Sequence, residues 1–225
     1  RIPAEDEKPA DNQFYARDDD NLGTLHYNGT LDAAADSVFL KVYAGDKLVG
    51  KQEQKLSVDR TYALSAKLKA GLVKYRIEFG TQNGNSEKVL DTADNLVCGD
   101  AYIIQGQSNA EAWADQVVHP FKSEWFRSFG TPITDPVTAR TAIWGNAISF
   151  KGGENRHKLQ IGYWGVELGK LMIEQHQVPV FIINGAQGGT RIDQHQRNDA
   201  DSTDVNTIYG RLLWRLQQVK LTHGI

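Results

Sequence analysis

Two short, almost purely apolar segments constrain the fold of this chain most. They are LVCGDAYIIQ at 96–105 and VPVFIIN at 178–184. Neither shows the alternation of apolar and polar residues that is typical of a strand with one solvent-exposed face. Strands of this composition are typical of parallel sheets that are covered on both faces. Helical patterns lie at 159–177 and 207–224. We therefore predict a parallel α/β domain over residues 96–225.

The chain before residue 96 has a different period. Apolar residues occupy every second position of LVKYRIEFG (72–80), as in a half-buried strand. The segments at 37–46 and 48–54 flank the turn signal at 45–47. Short strands at this spacing favour an antiparallel β-sandwich, which we predict as an accessory domain over residues 1–95.

Further elements of the α/β domain follow from the same patterns. WFRSFG at 125–130 is a candidate strand, and Gly224 is placed as a helix C-cap with an apolar segment beginning at Ile225. About 130 residues with three strands would be an incomplete parallel domain. Each helical segment has one apolar stripe. The stripes are Ile161, Trp164, Leu168, Leu171 and Met172, and Ile208, Leu212, Leu213, Leu216 and Val219.

Charge and composition exclude some classes of function. The net charge is −3 and no basic block occurs, so nucleic acid is not an expected partner. No apolar run reaches the length of a membrane span. Cys98 is the single cysteine, which predicts a buried small side chain and no intrachain disulfide. Because the chain begins at Arg1, we expect a processed or trimmed N-terminus.

A serine and a pair of glycines follow the two apolar strands. Ser108 comes directly after Gly106-Gln107, where a sharp turn would expose its hydroxyl. If 109–115 begins a helix, the amides at its N-terminus would favour a developing negative charge beside Ser108. Gly188 and Gly189 follow the second strand. Because ligands of parallel sheets bind at the carboxyl ends of strands, the two turns predict a site for acyl transfer.

The segment GDAYIIQGQSNAEAW resembles the first sequence block of the SGNH-type (GDSL-like) carbohydrate esterases, especially the sialate O-acetylesterase group. NGAQGGTRIDQH resembles their second block, and the β region is similar to their accessory sandwich. The resemblance implies a flavodoxin-like α/β/α domain. The first block is matched at Gly99, Asp100, Gly106, Gln107, Ser108, Asn109 and Trp113, with Ala110 in place of the usual methionine.

The resemblance implies roles for individual residues. Ser108 is the nucleophile and contributes its own amide to an oxyanion hole. Gly188 or Gly189 provides a second amide, with Gly189 preferred, while Gln107 and Asn109 support the turn. Neither a metal nor an organic cofactor is implied, and Asp193, His195 and Asp199 match no metal-site spacing. Candidate contacts to substrate are Trp113, Arg191 and His195.

Two further blocks of the family are absent from this chain. One supplies a side-chain oxyanion donor, and the other is the D-x-x-H that carries the base. No histidine here has an Asp three residues before it. Three explanations stay open. A companion C-terminal fragment carries the missing Asp and His, or the chain is a truncated piece, or His195 substitutes as base.

These observations predict a secreted or periplasmic serine esterase that removes O-acetyl groups from carbohydrates through an acyl-serine intermediate. A different reading is a non-catalytic carbohydrate-binding protein with a degenerate esterase fold, favoured by the missing base. A third is an SGNH enzyme that acts on lipid or aryl esters. Turnover of acetylated sugars and of longer acyl esters separates the three.

Overall fold

The computed structural model describes residues 3, 5–112, 117–133, 135–150 and 158–221. It is a mixed α/β structure that separates into two units, Arg1–Cys98 and Gly99–Ile225. The sequence placed this boundary between residues 95 and 96, and the functions of the two units stay predictions. None of the helices in the described ranges has the length and apolar content needed to cross a membrane.

Ten strands and four α-helices are described. The strands are β1 (Phe14–Ala16), β2 (Leu22–Thr30), β3 (Ser37–Ala44), β4 (Lys47–Lys55), β5 (Thr61–Lys69), β6 (Tyr75–Asn83), β7 (Ser86–Ile104), β8 (Phe126–Phe129), β9 (Trp144–Asn146) and β10 (Val180–Asn184). The helices are α1 (Ser108–Glu111), α2 (Pro136–Ala139), α3 (Tyr163–His176) and α4 (Ile208–Val219), with a 3-10 turn at Ile192–His195.

In the first unit, strands β2 to β7 pair in antiparallel fashion. Strands β4, β3, β6 and β7 pair in that order with β1 also on β7, while β2 pairs with β5. The predicted hairpin at 37–54 is confirmed, because β3 and β4 pair around a two-residue turn. Alternate residues of both groups of strands face one core. Its members include Leu25, Tyr27, Val38, Leu40, Tyr62, Leu64, Ile77, Phe79, Leu96 and Cys98.

The second unit contains the predicted parallel strands. The carboxyl end of β7 is parallel to β10, with Asp100 opposite Val180 and Ile104 opposite Asn184. Strand β8, predicted at 125–130, is parallel to β10 on its other side. The three-residue β9 pairs antiparallel with β8 and was not predicted. Every residue of β10 is buried, as its apolar composition indicates.

Helix α3 packs a different face from the one that its apolar stripe predicts. Its buried residues are Gly165, Val166, Gly169 and Ile173. The stripe residues Trp164 and Leu171 are 42% and 51% exposed. The reason is close approach, since a Cβ on Gly169 would overlap the Phe126 ring of β8. Glycines therefore form much of the contact, and Trp164 and Leu171 of the stripe face outward.

Candidate active site

Ser108 lies directly beyond the carboxyl end of β7, in a tight turn. Gly106 has a φ of +149°, which L side chains rarely adopt, so the turn requires glycine. The Oε1 atom of Gln107 accepts from the Ser108 hydroxyl at 2.5 Å and from the Ser108 amide at 2.9 Å. Ser108 is exposed. An oxyanion can use this amide only after the Gln107 side chain moves.

The helix that follows Ser108 is much shorter than the sequence predicts. Helix α1 is one turn, because Ala112 adopts the left-handed conformation with a φ of 64°. The Ala112 carbonyl accepts from the amide of Tyr163 at 2.6 Å, which helps to hold this strained residue. A helix of one turn has few aligned peptide dipoles, and it therefore stabilises an anion only weakly. Individual amides, rather than a helix dipole, must therefore stabilise charge near Ser108.

The turn after β10 lies against the serine turn. The Gln187 amide donates to the Gly106 carbonyl at 3.0 Å. A Cβ built on Gly188 would lie 3.7 Å from the Cα of Ser108. The Gly188 amide donates to Oε2 of Glu111 at 2.9 Å. The structure thus brings Ser108 and the glycine turn together, although Ser108 and Gln187 are 79 positions apart in the chain.

The two glycines of this turn differ in what their amides can do. The Gly188 amide is already bonded to the carboxylate of Glu111. Gly189 is exposed, has a φ of +72°, and a Cβ built on it would meet no atom within 4 Å. Within the described residues, its amide has no hydrogen-bond acceptor. Of the two, Gly189 is therefore the better placed to donate to a ligand, in line with the preference drawn from the sequence.

Asn184, the last residue of β10, bonds to the serine turn, to the glycine turn and to the segment that leads into α3. Its Nδ2 donates to the carbonyl of Ala110 at 3.0 Å and to that of Ile161 at 2.9 Å. Its Oδ1 accepts from the amide of Ala186 at 2.8 Å. The side chain is buried and both of its polar atoms are bonded. Asn184 thereby fixes the serine turn relative to the strand that carries the glycines.

Two arginines of α4 hold the glycine turn from the other side. Nη2 of Arg215 donates to the Asn184 carbonyl at 2.6 Å, and Nη2 of Arg211 donates to Oε1 of Gln187 at 2.6 Å. Arg215 is only 2% exposed, and burial lowers its pKa to about 9. It occupies a position in the buried stripe of α4, between Leu212 and Val219. Its guanidinium thus holds the carbonyl at the end of β10 through a charge-assisted hydrogen bond.

His195 lies near the site, but its ring is occupied. Nδ1 is 3.0 Å from Nε2 of Gln105, and Nε2 is 2.8 Å from Oγ1 of Thr190. The Thr190 hydroxyl is in turn 2.5 Å from the Gln187 carbonyl. These bonds tie the 3-10 turn to the end of β7. In the described structure, Ser108 has no histidine partner, so the role of His195 as base stays an unsupported prediction.

The remaining candidates are less informative. The exposed Arg191 pairs with Asp193 at 2.8 Å, and that bond raises the pKa of Arg191 and lowers that of Asp193. Trp113 lies outside the described residues, as does the predicted C-cap at Gly224. The carbonyl of Asn109 accepts from the indole of Trp164 at 2.8 Å. Among the described residues no three acidic, histidine or cysteine side chains cluster to hold a metal ion.

Several residues of the site were missed from the sequence. Glu111 and Asn184 look like ordinary polar residues next to the motifs, and only the fold reveals their partners. Arg215 did leave a signal, because it falls at the spacing of the buried stripe formed by Ile208, Leu212 and Val219. A charged residue in an apolar stripe indicates a buried hydrogen-bonding role.

Similarity to known proteins is found among solved structures. No protein-family model matches this chain, and no curated protein does. A solved structure described as a novel carbohydrate acetylesterase from Xanthomonas citri is similar over 94% of this chain, with 18% identity and a TM-score of 0.49. The match covers 48% of that structure, so the chain spans about half its length. At this identity and score, function has to be argued from the residues themselves.

Proposed function

We propose that this chain carries the nucleophile and oxyanion-binding part of a carbohydrate O-acetylesterase. The observation that supports it best is the meeting of two turns predicted separately from sequence. The Gln187 amide bonds to Gly106, and a Cβ on Gly188 would lie 3.7 Å from Ser108 Cα. An exposed serine packed against a glycine turn, in which the Gly189 amide has no acceptor among the described residues, is an arrangement suited to acyl transfer.

In the proposed reaction the Ser108 oxygen attacks the acetyl carbonyl carbon. The amides of Gly189 and, once Gln107 has moved, of Ser108 donate to the oxyanion. The C–O bond to the sugar breaks and the sugar leaves as an alcohol, which leaves acetyl-Ser108. Water then releases acetate. The proton of Ser108 needs a base, which we assign to a companion C-terminal segment with an Asp and a His.

The proposal includes the finer identity of the fold and its setting. The second unit is the first part of an SGNH-type, flavodoxin-like domain, and the first unit is its accessory β-sandwich. The substrate is an acetylated sugar such as an O-acetylated sialate, and the protein acts outside the cytoplasm. The assignment of the fold is supported by the motifs around Ser108 and Gly189 and by the parallel order of β7, β10 and β8.

Ser108→Ala in the full-length protein tests the proposal. We expect acetate release from 9-O-acetyl-N-acetylneuraminic acid or glucose pentaacetate to fall by several orders of magnitude, because the nucleophile is lost. Ser202→Ala, in a loop of the same unit, is the control and should retain activity. A fluorophosphonate should also add one label to the wild type at Ser108. Full activity in Ser108→Ala would exclude the proposal.

A non-catalytic sugar-binding function is the second candidate. It is favoured by the bond from the Ser108 hydroxyl to Gln107 Oε1, because an amide oxygen is not a base that could activate a serine. This candidate predicts binding of acetylated sugars without acetate release. Turnover that depends on Ser108 would exclude it.

A further inference from the structure

Trp164 is held beside the serine turn with a large part of its ring in solvent. Its indole N–H donates to the carbonyl of Asn109 at 2.8 Å, and Asn109 directly follows Ser108. The preceding amide, that of Tyr163, donates to the carbonyl of Ala112 at 2.6 Å. The start of α3 is thus tied at two points to the serine turn. Even so, 42% of Trp164 is exposed.

The packing of α3 does not account for this tryptophan. The helix buries its neighbours Gly165 and Val166, while Trp164 is on the outward side. Trp144, by contrast, packs its ring against Phe129 and Phe181. Among the described residues, Trp164 contacts no other aromatic ring. Its polar edge is satisfied by the carbonyl of Asn109, and much of its apolar surface stays in contact with water.

We propose that the indole of Trp164 is the surface on which the sugar ring of the substrate stacks while its acetyl group reaches Ser108. This inference rests on the proposed esterase function. The C–H groups of a pyranose face are apolar and carry partial positive charge, which the negative face of an indole attracts. The hydrogen bond to Asn109 fixes the ring in advance, so little side-chain entropy is lost on binding.

Trp164→Ala, Trp164→Phe and Leu171→Ala test the inference in the full-length protein. Leu171 is the matched control, because it is an apolar residue of α3 with 51% exposure, two turns further along. The substrates are glucose pentaacetate, which has a ring to stack, and ethyl acetate, which has none. Acetate release is followed at constant pH to obtain kcat and KM for each.

We expect Trp164→Ala to raise KM for glucose pentaacetate about 3- to 10-fold. For ethyl acetate, Trp164→Ala should differ from the wild type no more than Trp164→Phe does, because both variants lose the N–H bond to Asn109. Trp164→Phe, which keeps an aromatic face but loses the N–H, should restore most of the affinity. Leu171→Ala should leave both substrates unaffected. An equal loss on both substrates, or an unchanged KM in Trp164→Ala, would overturn the inference.

If the wild type hydrolyses neither ester, the proposed function fails, and calorimetric titration with glucose pentaacetate decides the stacking separately. Weaker binding by Trp164→Ala than by wild type, with Leu171→Ala unchanged, supports it. Equal affinity of Trp164→Ala and wild type, or no binding by the wild type, overturns it.

Discussion

Glu111 links the serine turn to the glycine turn. It belongs to the single turn of α1 that starts at Ser108, and its carboxylate accepts from the amide of Gly188 at 2.9 Å. Only 4% of Glu111 is exposed, so water cannot readily replace it as the acceptor. Together with the bond from the Gln187 amide to the Gly106 carbonyl, this side chain helps to fix the serine turn relative to the glycine turn. A substitution at Glu111 should therefore alter the positions of both turns.

We predict that Glu111→Ala lowers the free energy of unfolding by about 1 kcal/mol, because the partly buried Gly188 amide loses its acceptor. Urea denaturation measures this. Glu111→Gln keeps an acceptor oxygen and should be affected less. If the esterase proposal holds, the alanine variant should also lower kcat more than it changes KM, since it displaces donors of the oxyanion. Equal stability of both variants would contradict this role.

At the residue scale, the sequence located site residues that directly follow an apolar strand. It missed residues whose partners are distant in the chain. Ser108 and the glycine pair could be found because each follows an apolar strand. Asn184 could not be recognised, because the carbonyls of Ala110 and Ile161 that it bonds are distant in the chain. Whether Gly189 serves as an oxyanion donor stays a prediction.

At the scale of elements, strands with a run of apolar residues were predicted, and the strand without such a run was not. β10 and the end of β7 have enough consecutive apolar residues to identify them, whereas β9 has three residues and no pattern. The buried face of α3 was assigned wrongly because large apolar residues dominate a helical stripe. Glycines carry no hydrophobic signal, yet they allow this helix to approach the sheet closely.

Gly169→Ala and Gly165→Ala test this packing with the same substitution four residues apart. At Gly169 a Cβ would overlap the Phe126 ring, and overpacking typically costs ~1–3 kcal/mol. That exceeds the ~0.5–1 kcal/mol that alanine gains over glycine in a helix. At Gly165 the nearest atom is the Ile104 methyl at 3.1 Å, which can move. We expect urea denaturation to show a clear loss only for Gly169→Ala, and equal effects would contradict this account.

At the scale of the molecule, stability should depend on pH through paired carboxylates of the first unit. Hydrogen bonds from Lys41 and Lys51 lower the pKa of Glu87, and Arg76 with Tyr43 lowers that of Glu78. The ordinary value for both is 4.5. Because the folded state holds these protons less tightly than the unfolded state, stability is fully present above that value. It is lost as pH falls through the lower folded pKa values.

We therefore expect the urea midpoint to be constant from pH 7 to about 5 and to fall progressively below about 4.5. Glu78→Gln removes one of these titrating groups and should flatten the decline. The control must remove a carboxylate, so a variant such as Gln52→Glu, which adds one, cannot serve. Asp46→Asn, at an exposed hairpin turn, changes a carboxylate in the same unit and should leave the slope as it is. A decline of unchanged slope in Glu78→Gln would refute this assignment.

The buried thiol of Cys98 can report the opening of the first unit through its chemical modification. It is fully buried, and a Cβ on Gly23 would lie 2.8 Å from its Sγ. No other cysteine occurs in the chain, so every modified molecule is one in which this position was uncovered. The rate at which a thiol reagent attaches in native buffer thus records how often the core of this unit opens, which an equilibrium melt averages away. Cys98, which has no catalytic role in the proposal, therefore reports the rate at which the core of the first unit opens.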